Sequence, residues 1–360
     1  MEARKTGPIL VAMSGGVDSS VVAGLLKQQG YDVIGLTMQI WQESQRDPRH
    51  AGCCSLGAVE DARRVARILD IPHYVINFKD EFREAVIDQF IEEYSAGRTP
   101  NPCVECNRKV KFEVLLERMH ALGCEKLATG HYARIKQDPE SGKCQLHRSL
   151  GGKDQSYVLY MLGQEQMRHL MFPLGELPGK AETREMAREM GLPVANKPDS
   201  QEICFVSDAG GYREFLRKEK PEMFGPGEIV NSDGEVIGSH AGVADFTVGQ
   251  RKGIKLANGG KPLFVLKVLP NDNRVVVGDG DELLQSEVSL ENLSWRCETA
   301  GPIKVEAKIR YNMEAQPALL YGPGDPRLLF DEPVRAVTPG QIAVAYRGDE
   351  VVAGGVICAK

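Results

Sequence analysis

The sequence predicts an α/β domain with a parallel sheet, followed by two smaller, mostly β modules, of which the last is barrel-like. In about the first two hundred residues, short apolar runs alternate with segments of helical periodicity. Beyond them, turn residues separate short runs in which apolar and polar side chains alternate. We expect the domains to span residues 1–210, 211–280 and 281–360.

The α/β part begins with three apolar runs, at residues 8–13, 31–38 and 73–78, which we predict to be strands. Segments of 3.6-residue periodicity at 19–30 and 56–70 separate them. Strands joined by helices form a parallel sheet that is covered on both faces and binds ligands at the carboxyl ends of its strands. We therefore expect the functional residues of this domain at that edge.

Two further helices are predicted before residue 123. The first covers 80–97, where Gly97 suits the carboxyl-terminal cap and four apolar residues share one face, namely Phe82, Val86, Phe90 and Tyr94. The second, Val110–Leu122, follows a pair of cysteines and leads to another short apolar run.

The carboxyl-terminal half is predicted to be β. Residues 219–242 are rich in Pro and Gly and contain the turn signal Asp233-Gly234. Residues 303–312 alternate strictly, which places Val305, Ala307, Ile309 and Tyr311 on one face of a strand.

Composition limits the partners and the compartment. The 44 basic and 50 acidic residues give a net charge of −6, so bulk electrostatics do not favour binding to nucleic acid. Any RNA must meet local basic clusters, of which the sequence has three: Arg98, Arg108, Lys109 and Lys111; Arg251, Lys252 and Lys255; Lys304, Lys308 and Arg310. Nine thinly spread cysteines indicate reduced thiols. Without a membrane-length apolar run or a signal-like start, we expect a cytoplasmic protein with no membrane partner.

The stretch "AMSGGVDSS", residues 12–20, lies between the first predicted strand and the first predicted helix. Gly15 and Gly16 allow a tight turn, and Ser19 and Ser20 fall where a helix amino terminus presents unpaired N–H groups. The stretch is thus a candidate anion site. It lacks the lysine of a Walker-type loop and the spacing of a dinucleotide fingerprint. The alternative is a capped turn with Asp18 near the N-cap.

The stretch "RTPNPCVECNRKVKF", residues 98–112, contains the pair Cys103 and Cys106. A Cys-x-x-Cys pair can be a zinc clip, a redox pair, part of a cluster ligand set or the source of a nucleophile. Zinc is disfavoured because a closed structural site needs four ligands, and neither a second such pair nor paired histidines is present. The other three alternatives remain open at this point.

The motif S-G-G-x-D-S resembles the pyrophosphate loop of the ATP pyrophosphatases, the PP-loop superfamily with an adenine-nucleotide hydrolase-like fold. Seven further segments resemble, in order and over nearly the whole chain, the bacterial tRNA-specific 2-thiouridylases of the MnmA family: "TPNPCVECNRKVKF", "ATGHYAR", "GKDQSYVLY", "KPDSQEICF", "FTVGQRKG", "IRYN" and "VTPGQIAV". The resemblance implies adenylation of O2 of a wobble uridine in tRNA, then sulfur transfer to C2, giving 2-thiouridine, AMP and pyrophosphate.

Matching motifs transfer the family's functional residues to this chain. The nucleophile falls on Cys106 and the persulfide cysteine on Cys204, and Asp18 joins this catalytic set. The ATP-binding residues fall on Ala12, Met13, Ser14, Gly15, Gly16, Val17, Asp18, Ser19, Met38 and Gly130. The tRNA-binding residues fall on Asn101, Pro102, Cys103, His131, Lys153, Asp154, Gln155, Arg310, Tyr311 and Gln341.

The resemblance also implies the sulfur chemistry and its partners. Cys204 would carry sulfur from a persulfide donor protein, and a disulfide between Cys106 and Cys204 would then need reduction. Thiolate is the attacking form, and Arg108, Lys109 and Lys111 are candidates to lower the nucleophile's pKa from near 8.5. ATP is expected with Mg²⁺, and the protein is expected to act as a monomer.

A second sulfur route follows from Cys103, which stands where many members of the family carry aspartate. With Cys106 and Cys204 it could provide three ligands to a [4Fe–4S] cluster whose open iron holds sulfide. The sequence leaves the persulfide and cluster routes open. We expect the first domain to take a uridine flipped out of its loop and the β modules to hold the rest of the tRNA.

Two other functions remain as hypotheses. One is a PP-loop enzyme that acts on a small molecule, such as an amide or guanidino synthase, for which Cys106 and Cys204 would have no role. The other is a non-enzymatic RNA-binding protein, which the glycines of the anion loop disfavour. Some residues also have interpretations without a functional role. Cys53 and Cys54 are then incidental thiols, His131 caps the sheet, and Arg310 is a solvated strand residue.

Overall fold

A computed structural model describes residues 7–40, 56–199, 203–207, 209–254, 262–298 and 301–359. The chain divides into two compact units. The first contains residues up to Val86 and Cys103–Ala209, and the second contains Ile87–Pro102 and the chain from Gly210 onward. Cys53 and Cys54 lie outside the described residues. The division into three domains at 210 and 280 stays a prediction.

The α-helices of the described residues are α1 (Val17–Gln28), α2 (Leu56–Ile68), α3 (Lys79–Phe82), α4 (Gln89–Ser95), α5 (Pro102–Glu105), α6 (Leu115–Ala121), α7 (Gln164–His169), α8 (Lys180–Glu189) and α9 (Tyr212–Glu219). Two π-helical segments make longer helices: Arg83–Asp88 joins α3 to α4, and Cys106–Val114 joins α5 to α6. None of the helices in the described residues is both long and apolar enough to cross a membrane.

The strands of the first unit are β1 (Ile9–Ala12), β2 (Val33–Gln39), β3 (His73–Asn77), β4 (Lys126–Ala128), β5 (Ala133–Gln137), β6 (Cys144–Arg148) and β7 (Leu170–Met171). Five of them form a parallel sheet in the order β3-β2-β1-β4-β7. Strands β5 and β6 pair as an antiparallel hairpin, which the sequence analysis did not predict.

The core of the first unit explains why the parallel sheet forms. Strand β1 is almost wholly apolar, and Ile9, Leu10 and Val11 are completely buried. Helix α1 packs its apolar residues, among them Val21 and Val22, into the same core. A strand that is apolar on both faces needs cover on both sides, which crossover helices provide. The predicted α/β fold is confirmed.

The second unit contains two β assemblies, as the sequence predicts. Strands β8 (Gly227–Val230), β9 (Val236–His240), β10 (Phe264–Leu269) and β11 (Arg274–Gly278) form a four-stranded sheet in the order β10-β11-β8-β9. Six strands form a closed barrel: β12 (Leu284–Trp295), β13 (Ile303–Lys308), β14 (Gln316–Tyr321), β15 (Arg327–Arg335), β16 (Ile342–Arg347) and β17 (Glu350–Ile357). Pairing of β12 with both β15 and β17 closes it.

Two local predictions are wrong. The helix predicted from Val110 begins at Pro102, so that both cysteines of the Cys-x-x-Cys pair lie on it. The strand predicted through residue 312 ends at Lys308. Ile309 is buried, but a turn in which the Met313 amide donates to the Arg310 carbonyl follows it, and Tyr311 is 42% exposed. The alternation therefore stops two residues before Tyr311.

Candidate active site

The loop between β1 and α1 is held together by its own serines. The amide of Ser14 donates to Oγ of Ser19 over 3.1 Å, and the two hydroxyl oxygens are 3.2 Å apart. The Ser20 hydroxyl donates to the Gly16 carbonyl over 2.8 Å. This ring of bonds fixes the amino terminus of α1, whose helix dipole favours an anion there. The structure thus provides the geometry of an anion-binding loop.

Gly15 is required by both its conformation and its surroundings. Its φ is +68°, and a Cβ atom there would lie 2.1 Å from the carbonyl oxygen of Ala58 in α2. Its own carbonyl oxygen accepts a hydrogen bond from Nζ of Lys197 over 3.0 Å, and that lysine also pairs with Asp61 of α2 at 2.7 Å. Helix α2 and the residue-197 segment therefore clamp the loop from two sides.

Gly130 lies against the start of α1. A Cβ atom at this position would be 2.9 Å from both Cβ of Asp18 and the amide nitrogen of Ser19. Gly130 follows strand β4, which pairs with β1 in parallel, so the carboxyl ends of the two strands are adjacent. Met38, at the corresponding end of β2, is partly buried. These positions line the edge at which parallel sheets bind ligands.

A cluster of charged residues surrounds Asp18 in the first turn of α1. Its carboxylate is 2.7 Å from Nζ of Lys180 and 3.5 Å from Nζ of Lys153. Both lysines also pair with Asp199, at 2.8 and 3.2 Å, and Arg184 pairs with the same aspartate at 3.1 Å. Burial alone would raise the pKa of Asp199, but the hydrogen bonds and charges of the two lysines outweigh it and hold the pKa below its usual value.

Tyr132 contacts two members of this charged cluster, Asp18 and Lys153. Its hydroxyl donates to Oδ1 of Asp18 over 2.7 Å and lies 2.8 Å from the hydroxyl of Thr183 in α8. Burial, followed by the negative charge of Asp18, raises the pKa of this phenol. Nζ of Lys153 lies 4.7 Å from the centre of the Tyr132 ring. Tyr132 therefore stays protonated and orients both Asp18 and Lys153.

His131 is a buried, neutral side chain. It is only 9% exposed and packs against the rings of Phe112 and Phe172, each with its centroid 5.8 Å away. Its Nδ1 lies 2.7 Å from the hydroxyl of Thr129. Burial, reinforced by the positive charges of Lys111 and Lys153, places its pKa well below the ordinary value.

This depressed pKa makes stability depend on pH. Below about pH 6.5 the unfolded chain takes up a proton at residue 131 that the folded protein does not, so the free energy of unfolding falls as pH falls, by up to about 1.4 kcal/mol per pH unit. We expect His131→Asn to lose this contribution when urea unfolding is compared at about pH 7.5 and about pH 5.5. The control is His120→Asn, at an exposed position of α6. Identical pH dependence in the native protein and His131→Asn would contradict the assignment.

The cysteines singled out in the sequence all lie in the first unit. Cys103 is exposed in the first turn of α5, Cys106 is partly exposed at the start of the π-helical segment, and Cys204 is partly exposed. Pro102 opens the helix, where its fixed φ and missing N–H cost nothing. The buried side chains of Val104 and Asn107 alternate with the cysteines and anchor this turn. All three residues are thiols in the structure.

The segments that carry Cys106 and Cys204 meet the same short helix. Phe205, next to Cys204, packs edge to face on Phe82 of α3, with ring centroids 5.9 Å apart. Helix α3 also packs against the π-helical segment that begins at Cys106. The fold thus brings the two segments to one neighbourhood, although they are almost a hundred residues apart in the sequence.

Comparisons with known proteins agree with the fold. Three family descriptions match in succession: a tRNA methyl transferase HUP domain over residues 7–208, a tRNA methyl transferase PRC-barrel domain over 213–279 and an aminomethyltransferase β-barrel domain over 285–357. The tRNA-specific 2-thiouridylase MnmA of Clostridioides difficile is 46% identical over 97% of both chains. The protein of the same name from Moorella thermoacetica is 50% identical over 97% of this chain and 98% of its own.

The chain belongs to the family of tRNA-specific 2-thiouridylases. The matched domain descriptions speak of methyl transfer, but the curated relatives, aligned over their whole length, carry the thiouridylase name and are the more specific match. An NMN synthetase from Francisella tularensis aligns over 60% of this chain and 77% of its own, with 16% identity and a TM-score of 0.34, which is too distant for any conclusion.

For three of the thiouridylase residues matched to tRNA contacts, the structure shows bonds within the first unit. Lys153 belongs to the charged cluster. Asp154 accepts hydrogen bonds from the amides of Ser149 and Ser156. The side-chain oxygen of Gln155 accepts from the Tyr132 amide, and the Gln155 amide donates to the Tyr132 carbonyl. Their roles toward tRNA stay predictions.

Cys103 and His131 also lie in the first unit, and the other matched residues lie in the second unit. Gln341 donates to the carbonyl of Thr99 over 2.7 Å, and the Thr99 amide donates to the Pro339 carbonyl, so Gln341 holds the segment that leads to Asn101 and Pro102. Arg310 donates to the Ala336 carbonyl over 2.6 Å. These bonds position the residues, and tRNA contact by Arg310, Tyr311, Asn101 and Gln341 stays a prediction.

The described residues, which include Cys103, Cys106 and Cys204, contain no group of three His, Cys, Asp or Glu side chains placed to hold a metal ion. The three cysteines are thus not grouped as metal ligands in this structure, and their role as ligands of a [4Fe–4S] cluster stays a prediction. The carboxylates of Asp18 and Asp199 lie beside the loop as candidate ligands for Mg²⁺, and both are paired with lysines.

Sequence reasoning missed several residues of the site. Tyr132, Lys180, Lys197 and Asp199 surround the loop, yet none was singled out as a functional residue. Lys197 and Asp199 stand in the quoted segment "KPDSQEICF", and Tyr132 in "ATGHYAR", so their motifs offered a signal. Lys180 had none. Of the cations expected to act on the thiolate, Lys109 is exposed and pairs with Glu113, and Lys111 donates to Asn107. Their role toward Cys106 stays a prediction.

Proposed function

We propose that this protein is a tRNA-uridine 2-sulfurtransferase, which activates O2 of a wobble uridine with ATP and replaces that oxygen with sulfur. The observation that carries the proposal is the coexistence, in one compact unit, of the serine-bonded anion loop with Cys106 and Cys204. An anion loop provides for cleavage of ATP, and two thiols provide for sulfur transfer. The family relationship supports the same conclusion.

In the first step, O2 of the uracil attacks the α-phosphorus of ATP, and pyrophosphate leaves. The amide groups at the start of α1 and the hydroxyls of Ser14 and Ser19 are suited to hold the phosphates, since they converge at the positive end of the helix dipole. Gly130 leaves room beside that end. Adenylation converts the oxygen at C2 into a good leaving group.

In the second step, sulfur replaces the activated oxygen. A persulfide on Cys204 supplies its outer sulfur in one of two orders. In the first order, the outer sulfur attacks C2 and expels AMP, and Cys106 then attacks the Cys204 Sγ and breaks its bond to the transferred sulfur. In the second order, Cys106 attacks the Cys204 Sγ first and releases hydrosulfide, which attacks C2 and expels AMP. Both orders give one thiocarbonyl, one AMP and one disulfide between Cys106 and Cys204. Two electrons from an external dithiol restore the thiols. Every step of this route uses the two cysteines.

The partners follow from this chemistry. A donor protein that carries a persulfide must reach Cys204, which is partly exposed. The tRNA must present its uridine flipped out, since C2 is inaccessible within a stacked loop. We propose that the first unit binds the flipped base and that the second unit, with Arg310, Tyr311 and Gln341, contacts the rest of the tRNA. The protein is proposed to act as a monomer.

Reconstitution tests the proposal. Protein, ATP, Mg²⁺, a persulfide source and an unmodified tRNA transcript with a wobble uridine should yield 2-thiouridine by nucleoside mass spectrometry, with AMP and pyrophosphate formed in equal amount. A transcript with cytidine at the wobble position is the matched control and should yield neither. Formation of AMP that needs no tRNA and is unaffected by replacing both cysteines would instead indicate a PP-loop enzyme acting on a small molecule.

A further inference from the structure

The anion loop contains no lysine, whereas a Walker-type loop uses one to reach the β- and γ-phosphates. Two lysines reach it from elsewhere in the chain. Lys180 is the first residue of α8, and Lys153 precedes the short helical turn at Ser156–Leu159. Both nitrogens contact Asp18, which lies in the first turn of α1. The fold therefore brings two cations to the loop that the motif itself lacks.

The charged residues around Asp18 have an excess of positive charge, which favours binding of an anion. The cluster contains the carboxylates of Asp18 and Asp199 and the cations Lys153, Lys180 and Arg184, which gives two negative and three positive charges. Each lysine is shared between the two carboxylates. The cluster thus keeps a net positive charge of one unit, beside the positive end of the α1 dipole.

Lys180 and Lys153 differ from Arg184 in what they bind. Arg184 donates to the carbonyls of Ala195 and Lys197, so it holds the backbone of that segment. Among the described residues, Nζ of Lys180 bonds only to the two carboxylates, and Nζ of Lys153 adds the Tyr132 ring. Neither lysine side chain bonds to the backbone of the described part of the chain. Their side chains are 20% and 28% exposed, so an entering ligand can reach them.

We propose that Lys180 and Lys153 bind the β- and γ-phosphates of ATP and the pyrophosphate product, and that Asp18 and Asp199 hold the two lysines in place until the ligand arrives. This inference rests on the proposed function and assigns new residues to its first step. It gives Lys153 a role toward ATP in place of the tRNA contact that the family resemblance implies.

Exchange of partners makes such a site reversible. Pyrophosphate carries more negative charge than a carboxylate and accepts several hydrogen bonds, so it displaces Asp18 and Asp199 from the lysines. The displaced carboxylates stay nearby, because Tyr132 holds Asp18 and Arg184 holds Asp199. Their repulsion of the bound anion then helps the product to leave.

Titration of the full-length protein with inorganic pyrophosphate, by calorimetry with and without Mg²⁺, tests the inference without tRNA or sulfur donor. We expect Lys180→Met and Lys153→Met each to raise the Kd for pyrophosphate at least about tenfold. Lys180→Arg should retain most of the affinity. Asp199→Asn should lower the Kd, because it removes a competitor for both lysines. The control Lys27→Met, at the other end of α1, should change it less than about twofold.

The Kd is expected to rise in Lys180→Met and to fall in Asp199→Asn, and this difference separates a binding role from a structural one. If the cluster were purely structural, both variants would lose stability and neither would lose affinity. Thermal unfolding of each variant checks that it folds. If Lys180→Met does not fold, the test is the Kd of Asp199→Asn for pyrophosphate. An unchanged or raised Kd in that variant overturns the inference. Absence of pyrophosphate binding by the native protein, or unchanged binding by both lysine variants, also overturns it. Failure of the native protein to thiolate tRNA would instead reject the proposed function.

Discussion

Replacing Cys106 with serine is expected to abolish formation of 2-thiouridine, with a loss of at least about 1,000-fold, as removal of a nucleophile does in other enzymes. A hydroxyl is not ionised near neutral pH and cannot attack a persulfide sulfur. Adenylation does not involve the thiol, so exchange of labelled pyrophosphate into ATP in the presence of tRNA should persist. The measurement is thiolation and exchange on the same preparation.

Cys204→Ser should show the same separation of the two half-reactions, because it removes the residue that carries sulfur. Cys144→Ser is the matched control, since Cys144 is also partly exposed and lies in the same unit, on β6, without a role in the proposed chemistry. It should keep its activity. Thiolation within about threefold of the native rate in both Cys106→Ser and Cys204→Ser would reject the two-thiol mechanism.

Gly15→Ala is expected to lower thiolation at least about 100-fold, because a displacement of about 1 Å in a reacting group can have that effect. The added Cβ would lie 2.1 Å from the Ala58 carbonyl oxygen, so either the loop or α2 must move. Movement of the loop would break the bond between Ser14 and Ser19 that shapes the anion site. Pyrophosphate exchange should fall with thiolation, unlike in Cys106→Ser.

Comparison of Gly15→Ala with Gly30→Ala separates the effect of backbone strain from the effect of a steric clash. Gly30 also has a positive φ, +83°, but no described atom lies within 4 Å of the position its Cβ would take. Substitution there should cost about 1 kcal/mol of stability, through the left-handed backbone alone, and leave the activity intact. Equal activity of Gly15→Ala and Gly30→Ala would show that the close approach of Ala58 does not shape the site.

The sequence predicted the features that depend on local pattern. The apolar runs of the parallel sheet and the four-residue spacing of Phe82, Val86, Phe90 and Tyr94 were enough to locate strands and a helix face, and all four side chains are buried. The glycines of the anion loop were likewise visible. Such features depend on residues close together in the chain, where period and composition decide the structure.

The features that the sequence did not reveal depend on long-range contacts or lie where the local pattern gives no signal. Lys180 reaches Asp18 across 162 positions, and nothing near Lys180 marks it as functional. The helix that carries Cys106 was predicted to begin at Val110 instead of Pro102 because residues 103–109 contain a single aliphatic side chain, Val104, and so show no apolar period. Tyr311 was placed on a buried face because alternation does not indicate where a strand ends.

The π-helical segment restricts how this region can vary in length. A π-helix bonds each amide to the carbonyl five residues back, and one residue fewer would return the segment to α-helical bonding. An α-helix turns by about 100° per residue and a π-helix by less, so such a deletion would keep a continuous helix yet change the direction of Cys106 relative to α6. The number of residues between Cys106 and Leu115 therefore determines the direction of the Cys106 thiol. Variants with a different number of residues there would fold but would not retain that direction.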